Sequence, residues 1–140
     1  MGQTCWPALG DGRYVIDVVL GNQVLQVMVD TGLVDPLQQV GFELEPSVYD
    51  PLDQSGRLTN VRARQSRSTS GRFSTTVCGM ITARLFDPVT SQGVGPVVPL
   101  FASRGATGVP NRCGLVFFHG LIGCRVSWDL SHRTWSVEYP

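Results

Sequence analysis

The best-placed reactive group in this chain is an aspartate. Val27-Met28-Val29 runs directly into Asp30-Thr31-Gly32, so an apolar strand delivers a carboxylate to its own end. Desolvating a carboxylate there is costly unless the site is built to hold it, and the chemistry it could do is general acid or base work on water. Asp, Thr and Gly are also ordinary turn residues, so the tripeptide alone is a weak signal and its setting must carry the weight.

Other chemistries find little footing. Cys5, Cys78, Cys113 and Cys124 are scattered without a CxxC pair, and only His119 and His132 could assist them, whereas a zinc site needs four ligands at tight local spacings. The cysteines are expected to be buried free thiols, and neither a metal nor a cofactor is expected. Scarcity of histidine disfavours a Ser/His/Asp or Cys/His triad. No glycine-rich phosphate loop occurs.

The elements that must position Asp30 are strands. Arg13–Leu20 and Val24–Asp30 are rich in Val, Ile and Tyr around Gly21-Asn22-Gln23, which predicts a β-hairpin. Residues 33–56 carry three prolines and no clean period, which predicts a loop with at most one helical turn. Arg57–Gln65 and Arg72–Leu85 flank the polar tip Ser66–Gly71, a second and longer hairpin. Pro99 within Val97–Ala102 suggests an edge or a bulge. Gly114–Gly123 is the most apolar stretch and fits either a short buried helix or a core strand. Arg125–Leu130 and Thr134–Tyr139 alternate around Ser131-His132-Arg133, a closing strand pair. Many short strands with little amphipathic helix predict an all-β barrel or sandwich.

At 140 residues, with 42% hydrophobic and 16% charged residues, the chain suits one core, and residues 1–140 are expected to form a single domain. No run approaches the roughly 20 apolar residues of a membrane-spanning helix, and the start lacks a basic, apolar signal segment; a cytoplasmic protein with no membrane partner is expected. The net charge of zero hides a gradient: residues 1–56 hold eight acids and one Arg, and residues 57–84 hold six Arg and no acid. Phe73 is the only aromatic in that basic stretch, so stacking on bases has little support and nucleic acid is not an expected partner.

From Tyr14 to Gly32 the sequence resembles the retropepsin-like aspartic proteases, the single-lobed relatives of pepsin. Their pattern is a hairpin, an apolar strand ending in Asp-Thr-Gly, a loop, a flap hairpin, an apolar segment around a Leu-Leu-Gly-like signature with a short helix, and a closing strand pair. Arg57–Leu85 matches the flap and Val126–Val137 the closing strands. For the signature, Leu121-Ile122-Gly123 has the right letters, and Leu115-Val116-Phe117 has the right distance. Leu33 stands where the family usually has Ala or Ser.

The resemblance implies a closed β-barrel of the acid-protease type with a flap hairpin and at most one short helix. It also implies peptide hydrolysis by two carboxylates that share one proton. The chain holds one Asp-Thr-Gly, so the second carboxylate would be Asp30 of an identical subunit in a two-fold homodimer. Thr31 and Gly32 would shape the active-site turn. Leu33 and Asp35 beyond it, with Arg67, Ser68 and Gly71 at the flap tip, would line a peptide or protein substrate, and the flap arginines would favour acidic peptides. The other reading open to the same fold is a catalytically inactive dimerisation or peptide-binding domain.

Overall fold

The computed structural model describes residues 2–67 and 71–140. The chain is mostly β, with ten strands and two short helices among the described residues: β1 (Gly2–Pro7), β2 (Val15–Leu20), β3 (Gln23–Val29), β4 (Val40–Leu44), α1 (Pro46–Gln54), β5 (Thr59–Arg67), β6 (Phe73–Asp87), β7 (Gln92–Arg104), β8 (Arg112–Cys113), α2 (Leu115–His119), β9 (Arg125–Asp129) and β10 (Thr134–Tyr139).

Seven strands form one sheet in the order β2-β3-β8-β4-β7-β6-β5, and β2 pairs with β6 as well. The β2–β3 hairpin forms as its sequence predicts, with Val15 opposite Met28 and Leu20 opposite Gln23. Gly21 takes a φ of 64° at the turn, a conformation that favours glycine in a tight hairpin. Ile16, Val18 and Leu20 are fully buried, together with Val27, Phe42, Leu44, Leu85 and Ala102 from the neighbouring strands. Pro96 and Pro99 lie within β7, but β4 pairs with β7 only at residues 40–44 against 101–104. The prolines therefore occupy a stretch open on that side, where a missing N–H is tolerated.

Two helices replace the expected maximum of one. Within 33–56 the prolines disguise α1: Pro46 sits in the first turn, where its missing N–H costs nothing, and Tyr49 and Leu52, three residues apart, bury one face. In the Gly114–Gly123 stretch the helical alternative is the one realised, as α2, with Val116 and Phe117 buried.

β1 joins β10 and β9 in a three-stranded sheet, with Trp6 opposite Trp135. Trp6 Nε1 donates to Asp17 Oδ2 at 3.0 Å, tying this sheet to β2. Edge-on and tilted ring contacts continue the connection inward, by centroid separation: Trp128 to Trp135 at 4.2 Å, Trp135 to Phe118 at 5.2 Å, Phe118 to Phe117 at 5.6 Å and Phe117 to Phe42 at 5.3 Å. The closing strands thus brace α2 and β4 beneath the site. All four cysteines are free, but only Cys78 and Cys113 are buried; Cys5 is exposed, because it alternates along β1 with the buried Thr4 and Trp6 and so faces the other way, and Cys124 is half-buried. No helix among the described residues is long and apolar enough to cross a membrane.

Candidate active site

Asp30 follows the last residue of β3, where the sheet brings β8 alongside. β8 lies between β3 and β4: it runs parallel to β3, with Met28 opposite Arg112, and antiparallel to β4, with Glu43 opposite Arg112. The Asp30 amide donates to the Cys113 carbonyl at 2.9 Å, so the catalytic candidate is fastened to a strand more than 80 residues away in sequence. The chain then turns, with the Leu33 amide donating to the Asp30 carbonyl at 3.1 Å and the Gly32 amide donating to Asp30 Oδ1 at 2.9 Å. A Cβ on Gly32 would stand 3.2 Å from that same oxygen, so glycine keeps the turn tight around the carboxylate. Thr31 and Gly32 are exposed.

The other oxygen of Asp30 meets a residue that sequence reasoning did not single out. Arg112 Nη1 donates to Asp30 Oδ2 at 3.0 Å, and Arg112 Nη2 donates to Glu43 Oε1 at 2.5 Å. The three side chains are 26%, 27% and 23% exposed for Asp30, Arg112 and Glu43, so the group is half-sheltered and within reach of solvent. Arg112 Nε is buried without a partner. Burial pulls the Arg112 guanidinium down, but the Glu43 carboxylate first and the Asp30 carboxylate after it together outweigh that and leave Arg112 above its usual range.

Past the turn the chain is tied down much harder. Asp35 is 4% exposed. Its carboxylate accepts the amides of Leu37 at 3.1 Å, Gln39 at 2.9 Å and Val40 at 2.8 Å, together with both terminal nitrogens of Arg64 on β5. The Arg64 hydrogen bonds are the largest cause of a carboxyl held well below the usual carboxylate range, and the backbone amides add to it against desolvation. Arg62 Nη2 donates to Gln39 Oε1 at 2.6 Å and its guanidinium lies 4.5 Å over the Phe101 ring. Two arginines of the basic stretch therefore fasten the first arm of the β5–β6 hairpin to the loop after the Asp30 turn. A groove of about 550 Å³ opens beside them, lined in part by Leu33, Val34, Asp35, Val40, Glu43 and Arg64.

At the hairpin's far end Gly71 takes a φ of 82° and Arg72 is exposed. Arg67 closes β5 opposite Phe73, and Ser68 lies outside the described residues.

Neither stretch that the sequence offers for the apolar signature runs alongside the turn at Asp30. Leu115-Val116-Phe117 is inside α2, and Leu121-Ile122-Gly123 lies in the turn beyond it. Arg112-Cys113-Gly114 lies next to the Asp30 turn and leads into α2. The Gly114 amide donates to the Gly41 carbonyl at 2.9 Å, and a Cβ on Gly114 would stand 2.3 Å from the Leu33 carbonyl oxygen. Only a glycine at this position lets the strand pass so close to the loop after Asp30; an isolated glycine opening a short apolar helix was the available signal. Among the described residues, no three or more His, Cys, Asp and Glu side chains gather as a metal site would require.

An apolar hairpin ending in Asp-Thr-Gly, a two-residue strand between it and β4, and a long hairpin anchored to the following loop frame the candidate site. The chain is similar in structure to a retropepsin-like aspartic protease from Rickettsia conorii, with a TM-score of 0.65 and 15% sequence identity over 99% of this chain and 91% of that one. No family model matches the sequence, and no curated protein matches it. The fold is retropepsin-like.

Proposed function

We propose that the protein is an aspartic endopeptidase that acts as a homodimer, with Asp30 of each subunit forming the catalytic pair. The observation that carries this reading is the Asp30 carboxylate itself. It stands half-exposed at the end of β3, with one oxygen held by the Gly32 amide, beside a groove walled by the β5–β6 hairpin. The retropepsin-like neighbour supports it at the level of fold. We take residues 1–140 as one domain, the sheet that returns from β6 to β2 as a closed barrel, and the setting as cytoplasmic.

In this mechanism the pair holds one proton, because two like charges a few ångströms apart resist joint ionisation. The ionised Asp30 takes a proton from water as the water oxygen attacks the scissile carbonyl carbon, and the protonated Asp30 of the other subunit gives its proton to the carbonyl oxygen. Collapse of the tetrahedral intermediate breaks the C–N bond, the departing nitrogen is protonated, and the pair is left with one proton. Thr31 braces the two turns at the axis. Leu33 contributes to the substrate groove, and the end of the β5–β6 hairpin at Gly71 lies over the bound peptide. Asp35 serves that groove through the chain it organises, since its own carboxylate is occupied. An extended substrate adds to the hairpin as a further strand, held by backbone hydrogen bonds.

The Arg112 contact to Asp30 Oδ2 favours the second reading, an inactive peptide-binding or dimerisation domain, if that guanidinium never leaves both carboxylates. Incubating the protein with an unbiased peptide mixture at pH 4 to 7, with and without a transition-state-mimicking aspartic protease inhibitor, decides between them. Inhibitor-sensitive cleavage that disappears in Asp30→Asn is expected. Stoichiometric peptide binding without cleavage would establish the silent domain instead.

A further inference from the structure

We propose that the groove beside the Asp30 turn is a subsite for a basic side chain, and that Glu43 selects lysine or arginine at one position of the bound peptide. The proposal rests on the peptidase reading above and deepens it, naming the substrate class that the site takes. Glu43 is held in register on β4, opposite Arg112 of β8 on one side and Ser103 of β7 on the other. Its side chain is 23% exposed and lines the groove of about 550 Å³. One of its oxygens, Oε1, accepts Arg112 Nη2 at 2.5 Å, and among the described residues no donor reaches the other.

Charge on the groove points to a cation. Asp35 and Arg64, the other charged groups on its wall, are paired with each other and carry no net charge together. Glu43 has no such exclusive partner, because its arginine is shared with Asp30. Two carboxylates divide one guanidinium, and with both ionised the three groups fall one positive charge short. A half-sheltered carboxylate left short of a partner is costly, and a substrate ammonium or guanidinium would complete it with a charge-assisted hydrogen bond. The rest of the wall fits the rest of such a side chain. Leu33, Val34 and Val40 offer apolar surface, along which the carbon stem of a lysine or arginine lies while its charged end reaches the carboxylate. A purely apolar side chain would cover the same surface and leave Glu43 short, and an acidic one would be repelled. Leu33 directly follows Asp30-Thr31-Gly32, which places this subsite close to the scissile bond.

The test compares peptides of one scaffold that carry lysine, norleucine or glutamate at each position in turn, as substrates of the full chain. At one position wild type is expected to cleave the lysine peptide with a kcat/KM about tenfold above the norleucine peptide, the scale of one hydrogen bond to a charged group, and to reject glutamate. Glu43→Gln is expected to level the lysine and norleucine rates. Glu43→Asp, which keeps the charge but withdraws it from the groove, is expected to lower the preference in part, and circular dichroism checks that each variant folds. The ratio is the readout because a residue that only held Arg112 in place would depress both peptides alike. Equal lysine and norleucine rates at every position in wild type would make the groove an apolar pocket and overturn the proposal, as would a ratio that the folded variants leave unchanged. If wild type cleaves none of the peptides, the peptidase reading falls, and fluorescence anisotropy of the same peptides, labelled, on wild type and Glu43→Gln decides the subsite. Tighter binding of lysine that Glu43→Gln abolishes sustains it, and equal or absent binding overturns it.

Discussion

Two aspartates five residues apart each hold an arginine, and they are built for opposite ends. Asp35 is almost fully buried, and its two oxygens accept three backbone amides and both ends of the Arg64 guanidinium. Nothing more can be asked of that carboxylate. Asp30 is half-exposed, with one backbone amide and one arginine nitrogen, and it retains the capacity to accept hydrogen bonds from water or substrate. Burial and saturation turn the first pair into an anchor between β5 and the loop after Asp30; incomplete satisfaction leaves the second one chemically available.

Exchanging each carboxyl for its amide breaks that comparison open most widely. Asp30→Asn is expected to lower kcat by at least about 10³-fold, as removal of a group that acts as part of a catalytic unit does, while thermal stability stays within about 2 °C. Asp35→Asn is expected to do the reverse. It leaves Arg64 without its counter-charge, which costs about 3 kcal/mol and lowers Tm by about 10 °C, with kcat reduced only through a loosened flap. Differential scanning calorimetry and steady-state kinetics on both variants check this, and an unchanged Tm in Asp35→Asn would refute the anchor.

The pH dependence of the anchor follows from its direction. Asp35 is held below the carboxylate range in the fold, so its stabilising contribution is complete above its unfolded value of about 3.9 and is lost as pH falls from there through the lower folded value. The Tm difference between wild type and Asp35→Asn is therefore expected to persist from pH 7 down to about pH 4 and to close only in stronger acid. β5 therefore stays fastened to the loop after Asp30 down to about pH 4.

How much of this was legible in the sequence differs between the two halves of the site. The β2–β3 hairpin was readable because β-branched residues and a Gly-Asn turn specify it locally, and Asp30 comes with it. The other wall was not. β8 is two residues long, too short for any periodicity, and its Arg112-Cys113 does not look like the interior of a sheet. Arg112 reaches Asp30 across 82 residues, and only the topology brings them together. Arg62 and Arg64 read as part of a solvated basic run, because a charge run does not disclose which of its members find partners. β1 was equally opaque, since its pairing strand lies at the opposite end of the chain.

A smaller effect sharpens the same contrast on the backbone side. Gly114→Ala places a methyl group 2.3 Å from the Leu33 carbonyl oxygen, and the loop must move to admit it. About 2 kcal/mol of stability is expected to be lost, with KM raised, because Leu33 borders the groove that Asp35 organises. Gly56→Ala has open space around its Cβ but a φ of 73°; the milder loss expected there, with KM unchanged, serves as the control. Equal effects on KM would show that proximity to Leu33 is irrelevant.

The smallest effect belongs to the flap tip. With Arg62 and Arg64 engaged inside the chain, Arg72 is the exposed cation left to meet substrate on the described part of the hairpin's second arm near the tip. Exposed charge pairs contribute only about 0 to 1 kcal/mol and are screened by salt. Matched peptides with Glu or Gln beside the scissile bond are expected to differ by a few-fold at low salt in wild type and not in Arg72→Gln.

The shared Asp30 pair is the centre of the account, and mixing subunits tests it most directly. Wild-type and Asp30→Asn chains, unfolded together and refolded at varied ratios and fixed total concentration, give homodimers and heterodimers in binomial proportion. If each active site takes one aspartate from each subunit, heterodimers are dead and activity follows the square of the wild-type fraction. Activity that falls in direct proportion to the wild-type fraction would mean that each chain carries a complete site of its own, and would contradict the account.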